Sequence, residues 1–387
     1  MPALDVPQPE FMDDEEIAIF ADAVGKFYEK HAPEKRVLKW REDGQVDRDF
    51  WRDAGEAGLL GASVPEEYGG HGGDFRHEMV VIDQQGRHNV EGFAASLHNT
   101  IILPYLVRHG TEEQKKKYLP RLVSGDLVSA IAMTEPGVGS DLQSITTTAI
   151  KDGNGYRING AKTYISNGQI ADFIIVVAKT DPNERAKGIS LMLLETEGAE
   201  GFQRGKKLDK IGLEAQDTSE LFFDDVFVPA ENVLGGEEGK GFYQLMGELP
   251  QERLIIAMGA MSTIERALEE TLAFTKERKA FGKTIWDFQN TQFTLAELKA
   301  RATAAKVFVN HCIAQHLEGK LDVPTACMAK LWLTELQGEV VDKCLQLHGG
   351  SGYINDYPIA RMFRDSRVTR IFGGSNEIMK MVIARSM

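Results

Sequence analysis

Apolar residues in the first third of the chain recur every three or four positions. Between Glu15 and Lys30 they are Ile17, Phe20, Val24, Phe27 and Tyr28, a spacing that predicts one helix with a single buried stripe. Thr111-Glu112-Glu113-Gln114 has the form of a capping box, the Thr hydroxyl serving an orphan amide while Gln114 reaches back. Lys115, Lys116 and Lys117 behind it read as a solvated helix face. From about Asp126 to Gly236 the period shortens to two. There Asp152-Gly153-Asn154-Gly155, Asn159-Gly160 and Asn167-Gly168 punctuate the runs Ala161–Ser166, Phe173–Lys179 and Ser190–Glu195, which predicts hairpins in an antiparallel sheet or barrel. Leu249 to Lys276 returns to helix, with Leu254, Met258, Met261, Ile264, Leu268 and Leu272 on one face and Pro250 suited to the first helical position. Helical patterning continues through Gln292–Glu318, Pro324–His348 and Ile359–Arg367. The expectation is an α+β chain in three parts: a helical domain over 1–125, a β domain over 126–236 and a helical bundle over 237–387.

Composition narrows the function without naming it. A chain of 387 residues exceeds the roughly 250–300 at which single cores stop growing, so two or three packed domains are expected. Hydrophobic residues at 42% and charged ones at 26% describe an ordinary soluble globular protein. A formal charge of −14 repels phosphate backbones, and no basic face offsets it, so nucleic acid is not an expected partner. Cys312, Cys327 and Cys344 form no Cys-x-x-Cys pair, which argues against a disulfide framework and for a reducing compartment. No metal site is expected either, since there is no His-Glu-x-x-His and His311 and His316 stand five apart, off one helix face. Met1 to Glu10 lacks the basic and apolar runs of a signal or transit peptide, and no stretch approaches the roughly 18 apolar residues of a membrane span, so a cytoplasmic protein is expected, with a mature mitochondrial matrix form as the alternative.

Four strings carry candidate chemistry. Ala132-Met133-Thr134-Glu135-Pro136-Gly137-Val138-Gly139-Ser140-Asp141 reads either as a Gly-rich turn or as a loop whose amides and hydroxyls approach a ligand. Tyr164-Ile165-Ser166-Asn167-Gly168 is by itself a strand end before a turn. Arg278-Lys279-Ala280-Phe281-Gly282-Lys283, with Phe288-Gln289 beyond it, is either a basic helix end that complements the dipole or a pyrophosphate holder. Gln346-Leu347-His348-Gly349-Gly350-Ser351-Gly352-Tyr353, followed by Asp356, Arg361 and Asp365, implies a helix, a Gly-rich break and a helix. His348 there reads as a structural hydrogen-bonder.

In order and spacing these strings, together with Arg370-Ile371-Phe372-Gly373-Gly374-Ser375-Asn376-Glu377-Ile378, resemble the signatures of acyl-CoA dehydrogenases. The likeness runs from the N-terminal helices to Ala384-Arg385, departing at Val138, where a small residue is usual. It implies that family's fold: an N-terminal helical domain, a middle β-barrel domain and a C-terminal four-helix bundle. It also implies FAD. Ile131, Met133, Thr134, Gly139 and Ser140 would belong to its site, with Tyr164 packed on the isoalloxazine and Ser166 in contact with it. Arg278, Phe281, Phe288 and Gln289 would hold the diphosphate and adenosine part, and Ser375 and Glu377 would also lie beside the cofactor. Gln346, Gly349 and Gly350 would reach the FAD of a neighbouring subunit, so a homo-oligomer is implied, a tetramer built as a dimer of dimers.

The reaction implied is α,β-dehydrogenation of an acyl-CoA: a carboxylate removes an α-proton while a β-hydride moves to flavin N5, and the electrons pass to an electron-transfer flavoprotein. A free carboxylate is too weak for an ordinary α C–H. Hydrogen bonds to the thioester oxygen must stabilise the enolate charge, and burial must raise the carboxylate pKa. Many family members carry the catalytic Glu where this chain has Gly373. Long-chain and isovaleryl-type members place it instead where Glu252 stands, in Leu249-Pro250-Gln251-Glu252-Arg253-Leu254. Alone, Glu252 is a helix-start Glu favoured by the macrodipole by about 0.3–1 kcal/mol. Beside Gly373 it becomes the expected base, with Gly373 keeping the oxyanion amide. Ser140, Arg253 and Gly374 are expected to contact the substrate. Glu377 is the rival carboxylate. The words flanking Glu252 lean toward a medium- or long-chain acyl group, with a branched-chain substrate and a non-catalytic flavin-binding member as alternatives. An oxidase of this fold is expected to carry an extra C-terminal domain.

Overall fold

In the computed structural model, which describes residues 3–387, the order helical, β, helical is present throughout. The first part holds α1 (Glu15–His31), α2 (Glu34–Asp43), α3 (Arg48–Glu56), α4 (Phe75–Arg87), α5 (Ala95–Leu97), α6 (Leu103–His109) and α7 (Glu112–Val123). A π-helical segment, His98–Ile102, joins α5 to α6. Ile17, Val24, Phe27 and Tyr28 of α1 are buried, as their spacing predicts. Thr111 and Gln114 form the expected reciprocal cap on α7.

Seven strands follow: β1 (Ser129–Ala132), β2 (Thr148–Asp152), β3 (Gly155–Ser166), β4 (Phe173–Lys179), β5 (Ile189–Glu195), β6 (Phe202–Lys207) and β7 (Thr218–Pro229). They make one curled sheet in the order β1-β4-β2-β3-β7-β6, with β5 also on β4. Most pairings are antiparallel, but β1 and β2 both run parallel to β4, which an all-hairpin reading does not contain. The Gly153-Asn154 turn joins β2 to β3 as expected. Asn159-Gly160 does not turn the chain. It lies inside β3 at a register shift against β7, because a Gly within a strand accommodates a bulge, and a Cβ on Gly160 would stand 2.5 Å from Thr147 Oγ1.

The last part holds α8 (Gly241–Glu277), a small hairpin of β8 (Lys279–Ala280) and β9 (Lys283–Thr284), then α9 (Gln289–Leu317), α10 (Val323–His348), α11 (Pro358–Asp365) and α12 (Asn376–Arg385). The stripe Leu254, Met258, Met261, Ile264 and Leu268 is buried in one core with Leu298, Val309, Leu333 and Val340. Helix α8 begins at Gly241 rather than near Leu249, so Pro250 lies inside it. Proline forfeits one helical hydrogen bond there, and buried Leu245 together with Glu248, held by Arg108 and His109, carries the helix through. Glu252 therefore sits well beyond the first turn, where a macrodipole has faded. Among the described residues no helix is long and apolar enough to cross a membrane.

An ionic network joins the three parts. Arg41 of α2 bonds Glu91, Glu214 of the β6–β7 connection, and Asp365 at the end of α11, the last at 3.0 Å. Arg361 bonds Glu91 at 3.0 Å and Glu34 at 3.2 Å. The Arg41 side chain is 8% exposed, and Glu91 and Asp365 are 11% each. Removing one member of a buried network leaves its partners charged and unpaired, which costs more than any exposed pair contributes. Arg41→Leu should therefore lower stability by about 3–5 kcal/mol in chemical denaturation, whereas breaking the exposed Lys26–Asp22 pair should change it by about 0–1 kcal/mol.

Candidate active site

A cavity of about 430 Å³ opens where α4, α8, the β-domain and the 366–374 segment converge. Glu252 and Gly373, 121 positions apart in sequence, both line it. Gly373 has φ 62°, in the left-handed region, and a Cβ there would stand 2.3 Å from Ile256 Cδ1. Ile256 thus fills the space that a side chain at 373 would take. It lies one turn beyond Glu252 on the same face of α8, so Glu252 and Gly373 face one volume.

Glu252 is 5% exposed, and its Oε1 accepts a hydrogen bond of 2.9 Å from Tyr105 Oη. Burial raises its pKa to about 7, with the Glu248 charge adding to the rise and Tyr105 and Arg253 opposing it. Glu248, one turn earlier, is clamped by Arg108 and by His109 Nε2 at 3.0 Å. Glu377 is exposed in the first turn of α12, away from the cavity, and its carboxyl is held low by its own backbone amide and by Ser375.

Ile131, Met133, Thr134, Tyr164 and Ser166 line the same cavity as Glu252. A register shift between Lys162 and Ile165 turns Tyr164 out of the strand at φ 60°, leaving it 68% exposed. A bulky residue in that conformation costs energy that nothing in the β-domain core repays. Gly139 and Ser140 lie exposed in the β1–β2 connection, outside the cavity lining. Arg253 is buried on another face of α8, its Nη1 donating to Cys327 Sγ at 3.2 Å, so it does not line the cavity. Gly374 turns its carbonyl to Lys330, and Ser375 stands at the N-cap position of α12 without a side-chain capping bond.

The remaining predicted residues gather elsewhere. Arg278 caps α8, and Phe281, 95% exposed, tips the β8–β9 hairpin with its ring 6.2 Å from that of Phe288, next to Gln289 at the start of α9. Gln346, Gly349 and Gly350 lie at the same end of the bundle, where His348 Nδ1 donates to Cys344 O at 2.9 Å and the ring stacks on Phe274 at 4.3 Å. Helix α8 extends about 38 Å from Glu252 to Glu277, so this end is remote from the cavity. The segments fit a flavin dinucleotide: a Cβ added at Gly137, Gly139, Gly282, Gly349 or Gly350 would meet no atom within 4 Å, leaving room for close approach, and Tyr164 and Phe281 offer uncovered aromatic faces.

Two contacts escaped the sequence reading. Tyr105 is fully buried against Glu252; a Tyr on a buried helical stripe must find a partner for its hydroxyl, and that was the available signal. Lys330, on the buried face of α10 beside Ala326, Ala329 and Leu333, donates to Gly374 O at 2.9 Å and Asn376 Oδ1 at 2.8 Å, tying down the loop that carries Gly373. Burial lowers its pKa to about 8. A Lys within an apolar stripe could have marked it.

Comparison with known proteins agrees across the chain. Family models described as the N-terminal, middle and C-terminal domains of acyl-CoA dehydrogenase match residues 14–126, 130–226 and 239–387. The long-chain specific acyl-CoA dehydrogenase of Sus scrofa mitochondria is 48% identical over 371 residues, covering 95% of this chain and 86% of that protein. The isovaleryl-CoA dehydrogenase of Pongo abelii mitochondria is 37% identical, covering 94% and 86%. A crystal structure of acyl-CoA dehydrogenase from Geobacillus kaustophilus superposes with a TM-score of 0.94 at 47% identity, covering 96% of this chain and 98% of that one.

The raised Glu252 pKa has a consequence for stability. A carboxyl whose folded pKa, about 7, exceeds its ordinary value of 4.5 stabilises the fold fully below pH 4.5, and that contribution is lost as pH rises through 7. The difference corresponds to about 3 kcal/mol. Glu252→Gln should therefore match the wild type in urea denaturation at pH 4 and exceed it by about 3 kcal/mol at pH 8.

Proposed function

This chain belongs to the acyl-CoA dehydrogenase family, and we propose that it converts a medium- or long-chain acyl-CoA to the trans-2-enoyl-CoA with Glu252 as the α-proton base. The observation that carries this reading is the shared cavity, with a buried carboxyl poised at about 7 on one wall and the Gly373 backbone on another. Acyl-CoA dehydrogenases use FAD, which when bound accepts a hydride from the β-carbon. Ile131, Met133, Thr134, Tyr164 and Ser166 would hold its ring portion, and the Gly373 amide would bind the thioester oxygen. Glu252 takes the α-proton from a buried position, where its high pKa makes it a stronger base than a solvated carboxylate. The Arg278, Phe281 and Gln346–Gly350 end of the bundle would serve the cofactor across a contact between copies, in a homo-oligomer. The electrons would leave to an electron-transfer flavoprotein, so reoxidation of the reduced enzyme should be slow in air and fast with that acceptor.

The shape of the cavity supports a long acyl group. Glu252, Ile255, Ile256, Gly259, Ala260 and Thr263 line it along one face of α8, a stripe of about 16 Å. At roughly 1.3 Å of advance per carbon for ~1.5 Å bonds, that length holds about a dozen extended carbons. Gly259 sits mid-helix at a cost of about 1 kcal/mol relative to Ala, and a Cβ there would meet nothing within 4 Å. Without a side chain, Gly259 leaves that stretch of the cavity clear.

Two experiments test these assignments. Glu252→Gln should keep its FAD and lose anaerobic flavin bleaching by acyl-CoA by about 10²–10⁴-fold; bleaching near the wild-type rate would move the base elsewhere. Gly259→Leu should fold normally and lower kcat/KM for a long-chain ester by about tenfold or more relative to a short-chain one. An equal loss on both would detach Gly259 from chain-length selection.

A further inference from the structure

We propose that Tyr105 is a positioning residue for Glu252, anchoring one carboxylate oxygen so that the other is presented to the cavity in a fixed orientation. The proposal rests on the reading of Glu252 as the base. Among the described residues, the Tyr105 hydroxyl is the single hydrogen-bond donor to Glu252, at 2.9 Å to Oε1, and Glu252 is the hydroxyl's single partner. Oε2 has no protein partner, while the side chain lines the cavity. A carboxylate held at one oxygen loses the rotation about its terminal bond that would otherwise spread its free lone pairs over many directions. Proton abstraction needs one of those directions.

The anchor is itself held. In the π-helical turn before α6, the Thr100 carbonyl accepts from Gln251 Nε2 at 2.7 Å, and Gln251 directly precedes Glu252. Arg108 of α6 donates to Gln251 Oε1 at 2.7 Å and to Glu248. Three α6-side contacts thus fasten α6 to the turn of α8 that carries the base, and Tyr105, with no exposed surface, has nowhere else to point.

The charges facing Glu252 define what the phenol does electrostatically. Glu248 on α8 repels its ionised form, Arg253 on α8 attracts it, and Arg108 and His109 on α6 occupy Glu248, with His316 of α9 behind Arg108. Tyr105 is the group that bonds the ionised form directly. Deleting its hydroxyl leaves burial and Glu248 less opposed, so the acid limb of flavin reduction must move to higher pH.

The test compares wild-type, Tyr105→Phe and Glu252→Gln holoenzymes in anaerobic stopped-flow flavin reduction by an acyl-CoA, at pH values on both sides of about 7. Tyr105→Phe should retain FAD and substrate KM, reduce the flavin several-fold more slowly at neutral pH, and show its acid limb raised by about 0.5–1 pH unit. Tyr105→3-fluorotyrosine, which keeps the shape and strengthens the donor, should move the limb the opposite way, and it decides the matter if the Phe variant does not fold. Limbs that stay in place in the folded variants, or a loss confined to FAD content and melting temperature, would overturn the proposal while an inactive Glu252→Gln leaves the base reading standing. A Glu252→Gln enzyme that reduces flavin normally would overturn both.

Discussion

Taking a carboxyl group out of water is unfavourable unless charge is neutralised or hydrogen bonds replace the lost solvent, and Glu252 is given only one such bond. The remaining imbalance raises its pKa to about 7. Much of the surrounding architecture buries that group and holds it in place. Helix α8 must pass through Pro250 without breaking, α6 must approach closely enough for Tyr105 to reach, and Arg108 and His109 must occupy Glu248 so that a second buried carboxylate does not destabilise the first.

The cavity exists because three separately patterned stretches of chain meet at one place. The Arg41, Glu91, Asp365, Arg361 and Glu214 network fastens that junction, and two of its members, Glu91 and Asp365, form part of the cavity wall. Oriented charges at a rim specify how the parts dock, since any other arrangement leaves them buried and unpaired. Lys330 performs a similar task on the far side by fastening the loop of Gly373 from beneath. The site is thus supported from both flanks by cations that touch backbone or carboxylates, and the face of α8 from Glu252 to Thr263 lines the cavity between them.

The helical stripes of α1 and α8, the cap on α7 and the Gly153-Asn154 hairpin were legible because each depends on residues within a few positions of one another. Family membership was legible for a different reason: the strings around Glu252 and Gly373 resemble one family subgroup, and the family models and relatives place the chain in that family. Local signals misled where packing decided. Pro250 looked like a helix start and lies inside a helix; Asn159-Gly160 looked like a turn and is a strand bulge; β1 pairs in parallel with β4, which no hairpin between neighbouring strands can produce.

By itself the sequence determined the succession of helical and β segments, the family, and the pair of positions between which a base could be exchanged, since periodicity, turn chemistry and motif spacing are properties of neighbouring residues. Only the tertiary structure decided that Glu252 and Gly373 face one cavity, that Arg253 turns away from it, and that Tyr105 comes from 147 positions away to hold the carboxyl. Burial, and the pKa shift it produces, depends on which groups replace water around an atom, and those groups arrive from elements that share no sequence neighbourhood.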